Sequence, residues 1–281
     1  MLKRNIPERV WFFDMEWVPD AVAARRLFAD LPGGATEKEA IERLWQEYPR
    51  ADGKPRPFLK YLFSRVVSIS FLSRLVVYKD GEATTTFRLQ SLPKLPVDVA
   101  DVDEAQIINE FLTLIGERHP QLVGYNSYES DVQVLIQRGL VNELTAPMFC
   151  NRPEKNYEPG DYFRRWDNEE HLDLMKQFSN GAMAPRLNEL AKLCGFPGKM
   201  DVDGDQVVDL WLEREINKIV EYNQIDVLNT YLVWLRLVHF CGKLKEEEYV
   251  NEQDEFRTFL ETESAKPNSQ HLTQFLEKWE I

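Results

Sequence analysis

The pattern that most restricts the architecture of this chain is an alternation of helix-period and strand-period segments along its middle. Between Asp103 and Arg118 the apolar residues Ile107, Ile108, Phe111, Leu112 and Ile115 recur with the spacing of one buried helical face. Gln121-Leu-Val-Gly-Tyr125 then reads as a strand and Asp131 to Leu140 as another helix, so an α/β sheet is expected. Upstream, Val10-Trp-Phe-Phe13 is a buried first strand, while Val66 to Phe71, Leu75 to Tyr78 and Thr84 to Leu89 form a hairpin or meander around the turn Lys79-Asp-Gly-Glu82. Two helical patterns, Ala21 to Asp30 and Glu37 to Tyr48, fall between the first two strands and predict an insertion over about residues 20–63. Beyond a short strand at Leu172 to Leu174, helices are predicted at Arg186 to Cys194, Asp205 to Trp211 and Glu213 to Val238. The expected organisation is a main domain over 1–245 and an acidic helical extension over 246–281.

Composition removes several classes of function. No apolar run approaches the roughly 18 residues of a membrane span, and Met1 to Arg9 is charged, so a cytoplasmic protein is expected. Cys150, Cys194 and Cys241 are widely spaced, which suggests neither a zinc site nor a disulfide framework. The net charge of −13 argues against an extended grip on duplex nucleic acid, because that affinity comes from Lys and Arg releasing counterions. It leaves room for an enzyme that holds only a strand end, in which bound cations neutralise part of the acid.

Three fragments carry chemistry. Asp14-Met-Glu16 follows the first strand, where alternate side chains emerge on one face, so the two carboxylates point into one space and call for a cation. Another D-x-E triplet, Asp167-Asn-Glu169, sits in a polar stretch after Arg164-Arg165-Trp166 and reads as surface. In Glu221-Tyr-Asn-Gln-Ile-Asp226 the phenol of Tyr222 and the carboxylate of Asp226 share a helix face one turn apart. Alone, this pair reads first as a core tyrosine beside a helix-surface acid. Between them, Val123-Gly-Tyr-Asn-Ser-Tyr-Glu-Ser-Asp131 joins a strand to a helix, with Ser130 or Asp131 as either an N-cap or a delivered carboxylate.

In this order, the D-x-E, Asn126 to Asp131 and Y-x-x-x-D elements resemble the DEDD exonuclease superfamily, in its tyrosine-containing DEDDy branch. Phe13-Asp-Met-Glu-Trp-Val-Pro-Asp20, Arg65-Val-Val-Ser-Ile-Ser70, Leu187 to Lys199 and Asp226-Val-Leu-Asn-Thr-Tyr231 are similar to predicted 3′→5′ exonucleases related to the proofreading domain of family B polymerases. The resemblance implies an RNase H-like, DnaQ-type α/β fold with a mixed central sheet flanked by helices. It further implies two divalent ions, Mg²⁺ or Mn²⁺, held by Asp14, Glu16, Asp131 and Asp226. By the same resemblance, Asp14 would bridge both ions, Glu16 and Asp226 would serve the side of the attacking water, Asp131 would serve the leaving group, and Tyr222 would orient the water. In the family an aromatic residue usually precedes the second-motif Asp; here that position is Ser130, which makes Glu129 an inferior substitute for Asp131.

The expected partner is a nucleic-acid 3′ end, with single-stranded DNA favoured by family analogy. Met15, Trp17, Asn126 and Lys199 are expected to contact substrate, although core packing accounts equally well for Trp17. A polymerase, helicase or defence complex is a further possible partner. Two other readings stay open: a silent nucleic-acid-binding or scaffold module of the same fold, and an oligonucleotide trimmer acting on short RNA or DNA.

Overall fold

A computed structural model of the chain describes residues 6–48, 56–155, 160–164, 169–179, 183–200 and 204–280. Strand β1 (Arg9–Pro19) leads into helices α1 (Ala21–Leu27) and α2 (Glu37–Glu47), and a 3₁₀ turn (Tyr61–Phe63) returns the chain to β2 (Ser64–Lys79) and β3 (Glu82–Leu92). Next come α3 (Glu104–Arg118), β4 (Gln121–Gly124), α4 (Asp131–Val141), the short α5 (Pro147–Cys150), β5 (His171–Asp173) and α6 (Leu174–Ser179). Helices α7 (Leu187–Leu193), α8 (Val207–Leu212), α9 (Ile216–Phe240), α10 (Glu246–Ser264) and α11 (Gln270–Lys278) complete the chain. None of the described helices is long and apolar enough to cross a membrane.

The five strands form one sheet in the order β3-β2-β1-β4-β5. β1 pairs antiparallel with β2, which pairs antiparallel with β3, whereas β1–β4 and β4–β5 are parallel. This mixed sheet flanked by helices has the arrangement expected of an RNase H-like fold. The two strand-like runs Val66 to Phe71 and Leu75 to Tyr78 are parts of a single strand, because the polar residues between them still pair with both neighbours, Ser73 facing Trp11 and Arg88.

Strict alternation along β1 divides the core. Trp11, Phe13 and Met15 point to one face, with Phe71, Ile108 and Phe111, while Val10 and Phe12 point to the other and meet Tyr231 and Trp234 of α9. Helix α9 is buried along most of its 25 residues, which explains why its amphipathic period is faint in the sequence. The insertion has its own small cluster of Ala24, Ile41, Leu44, Leu59 and Phe63. Thr36 and Glu39 begin α2 with a reciprocal capping box, the Thr36 N–H donating to the Glu39 carboxylate at 2.7 Å.

Helices α10 and α11 form part of the main core. Tyr249, Phe256, Leu260, Leu272, Phe275 and Trp279 are buried in the same cluster as α9. Glu252 receives two hydrogen bonds from the buried Arg74 of β2, at 2.6 and 2.7 Å, and a third from the Tyr231 hydroxyl at 3.2 Å. The Arg74 guanidinium also lies over the Trp234 ring.

Candidate active site

β1 continues well past its pairing with β4. β4 covers only Val10, Trp11 and Phe12, so from Phe13 onward that edge of β1 faces the loop that follows β4. Asp14 and Glu16 fall in this stretch, on the face shared with Val10 and Phe12, and therefore look toward α9. Two strand residues from Asp14 to Phe12 span about 7 Å, and five helical residues from Asp226 to Tyr231 span about 7.5 Å. A single straight helix can thus bring Tyr231 and Trp234 onto Phe12 while its earlier turns meet the acids.

Those earlier turns carry Tyr222, Asn223 and Asp226. One carboxylate oxygen each from Asp14, Glu16 and Asp226 lies within 4.8 Å of the others. Asp131, the first residue of α4, is almost fully buried; it falls outside that tightest triad but is near enough to act on both β1 acids. The result is mutual repulsion. Burial, then Asp131, Glu16 and Asp226, push the Asp14 carboxyl well above the ordinary range, and burial followed by Asp226 does the same to Glu16. Burial likewise pushes Asp131 up to about 7, against hydrogen bonds from the Ser130 hydroxyl at 2.5 Å and from the Met15 backbone N–H. Crowded hard oxygen donors of this kind, with little compensating cation, match what Mg²⁺ or Mn²⁺ binds.

Tyr222 directs its hydroxyl to Asp226, and its phenol is held far above its usual value by burial and by Asp226, Glu16 and Asp14. The Lys199 ammonium lies 5.1 Å from the centre of the Tyr222 ring and favours the ionised form of Glu16. Its position rests on Gly198, whose φ of +67° suits glycine and whose N–H and C=O both bond the Asn229 amide of α9, each at 2.9 Å.

The candidate residues singled out in the sequence can now be placed, Asp167 excepted. Asp14, Glu16, Asp131, Tyr222, Asp226 and Lys199 converge. Met15 turns the other way: its side chain is 3% exposed in the core, and only its backbone N–H serves the site. Trp17 follows a β-bulge after Glu16 and is half-buried, against Tyr61. Asn126 adopts a left-handed φ of +62°, and its carbonyl accepts from the Ser130 N–H and hydroxyl, so here it shapes the loop that presents Asp131. Ser130 occupies the N-cap position without capping, because its hydroxyl is engaged by Asn126 and Asp131. Glu129 is exposed and pairs with Lys176 at 3.0 Å, away from the role of ligand. Asp167 lies outside the described residues.

Two site residues carry no sequence motif. Asn223, fully buried, donates to Asp14 at 2.7 Å and accepts from the Ser68 hydroxyl at 2.9 Å. Asp173, at the end of β5, accepts from the backbone N–H groups of Asn126, Tyr128 and Met175 and so braces the loop before Asp131. The Asn next to Tyr222 is visible in the sequence, but its partners on β1 and β2 are not. Gly124 allows this loop to fold back closely, since a Cβ there would collide with the Ser127 side chain.

Fold and site together define a mixed-sheet α/β protein of RNase H-like type with a carboxylate centre between its first strand and a late helix. Comparison with known families is more specific: residues 56–279 match the model of the predicted 3′-5′ exonuclease family related to the exonuclease domain of PolB. The chain belongs to this family. The matched stretch contains Asp131, Tyr222 and Asp226 and extends through α10 and α11, while β1 with Asp14 and Glu16 precedes it. No curated protein matches the chain.

Proposed function

We propose that this protein hydrolyses the terminal phosphodiester at the 3′ end of single-stranded nucleic acid, DNA before RNA, with two divalent ions held by Asp14, Glu16, Asp131 and Asp226. The observation that carries the reading is the convergence of acids from β1, α4 and α9 into one cluster, within a family of predicted 3′-5′ exonucleases. When bound, the ions would supply a water of lowered pKa and neutralise charge on the departing oxygen. Tyr222 keeps its proton at neutral pH, given the direction of its shift, so its hydroxyl orients rather than removes a proton. Asn223 holds Asp14 in one rotamer, and Lys199 places positive charge beside Glu16, where a phosphate would otherwise meet only acid.

Digestion of a 5′-labelled single-stranded oligonucleotide tests this directly. With Mg²⁺ or Mn²⁺ a ladder of progressively shorter products is expected, abolished by chelator. An intact strand under all conditions would leave a binding or scaffold module, and internal cuts would exclude an end-directed enzyme.

A further inference from the structure

The chain leaves the insertion through a segment whose large apolar side chains are only partly covered. Phe58 is 63% exposed and Leu62 43%, while Tyr61 between them is half-buried. The three are unlike scattered surface apolar residues because two of them continue an aromatic ladder. The Phe58 ring meets Tyr61 nearly perpendicularly at 5.4 Å, and Tyr61 meets Trp17 in the same way at 5.9 Å. Trp17 follows Glu16 in β1, but alternation turns its ring to the Met15 face, where it packs with Tyr61, so the ladder flanks the carboxylate cluster and ends in solvent.

Its base is rigid. The 3₁₀ turn containing Tyr61 packs on α4, the helix that begins with Asp131. Arg138 of α4 donates to the Leu62 carbonyl at 2.9 Å and is itself held in a buried network with Asp20 and Glu104, at 2.9 and 2.6 Å. Asp131 and Glu129 are close enough to add to the effect of burial in raising the Tyr61 phenol. The exposed Lys60 stands beside the ladder, its ammonium over the Tyr48 and Phe63 rings.

A chain of net charge −13 is poorly equipped to hold a polyanion through counterion release. Aromatic faces offer another source of affinity, because every unpaired base has a π-face to stack, whatever its identity. A paired end offers such a surface only the outer face of its last base pair. We infer that Phe58, Tyr61 and Trp17 form a stacking platform for the last unpaired bases of a single-stranded nucleic acid whose 3′ end enters the carboxylate cluster. The inference rests on the exonuclease reading for the polarity of the strand and assigns the exit of the insertion a role in holding substrate.

The platform lies outside the carboxylate cluster, so it is testable in chelator by fluorescence anisotropy of a short 5′-fluorescein oligothymidylate. Phe58→Ala should weaken binding about tenfold, equivalent to ~1.4 kcal/mol and within the range for losing one stacked base. Phe58→Trp should restore it. Because Phe58 is largely exposed, an unchanged melting temperature verifies that the variant is folded. Phe58→Ala binding within about twofold of wild type overturns the platform, as does a wild type that binds no oligothymidylate, which would leave the patch to a protein partner. A wild type that binds through Phe58 yet never shortens the strand separates the two claims: the platform stands and the exonuclease fails. Cleavage with unaltered Phe58→Ala binding is the reverse.

Discussion

Asn223→Leu is the substitution whose consequences the structure defines most closely. The side chain is fully buried, and leucine has nearly its volume, so neither a cavity nor a clash dominates. What disappears is the 2.7 Å hydrogen bond to Asp14 and the acceptor for the Ser68 hydroxyl at 2.9 Å. A hydrogen bond to a charged group contributes ~1.5–3 kcal/mol, and a stranded hydroxyl adds about 1 kcal/mol more, a loss of several degrees in melting temperature. The functional effect follows from the sign of each influence on Asp14. Burial and three neighbouring acids raise its carboxyl, and Asn223 favours the ionised form that a cation binds. Without Asn223 the carboxyl rises further, so a proton must be displaced before an ion enters, and affinity for Mn²⁺ should fall about 10- to 100-fold at neutral pH. Isothermal titration at two pH values isolates the cause: the deficit should shrink as pH rises, because Asp14 then ionises without help. Wild-type Mn²⁺ affinity at both pH values would refute the reasoning, and an equal deficit at both would assign Asn223 a purely steric role.

Three other outcomes are expected. Tyr222→Phe should retain Mn²⁺ binding yet slow strand shortening about 100-fold, and unchanged turnover would remove the hydroxyl from the mechanism. In chelator, Asp131 has a folded-state carboxyl pushed up to about 7, above its unfolded value of 3.8, so its stabilising contribution is complete below the lower value and is lost as pH rises through the upper. The melting temperature of wild type relative to Asp131→Asn should therefore fall between those pH values, and a constant difference would contradict the assigned shift. Glu252→Gln leaves the buried Arg74 guanidinium uncompensated and should lower stability by ~3–5 kcal/mol in urea unfolding; a loss under about 1 kcal/mol would show that α10 contributes little to the core.

Much of this organisation was legible because periodicity and chain order are properties of sequence. The acids of β1 follow from strand alternation, the Tyr222 and Asp226 pair from helical spacing, and the α/β class from the alternation around α3 and β4. Other features depend on tertiary neighbours that spacing does not reveal. Asn223 lies about 100° around the helix from Tyr222, outside the Y-x-x-x-D face, and its meaning emerges only when Ser68 and Asp14 come within reach. The density of acid in α10 suggested only an acidic helical extension. Yet Tyr249, Phe256 and Leu260 form a buried stripe with Glu252 inside it, and the charge that disguised that stripe is neutralised by Arg74 from a strand far away in the chain. Asp173 was similarly hidden in a short strand, since its three partners are backbone N–H groups with no sequence signature.

The central claim is that acids distant in the chain form one cation-binding centre, and Mn²⁺ equilibrium dialysis of the chelator-stripped protein measures it most directly. Two ions bound per chain, with occupancy lost in Asp14→Asn, is the expected result. Absence of saturable Mn²⁺ binding, or undiminished binding in Asp14→Asn, would contradict it.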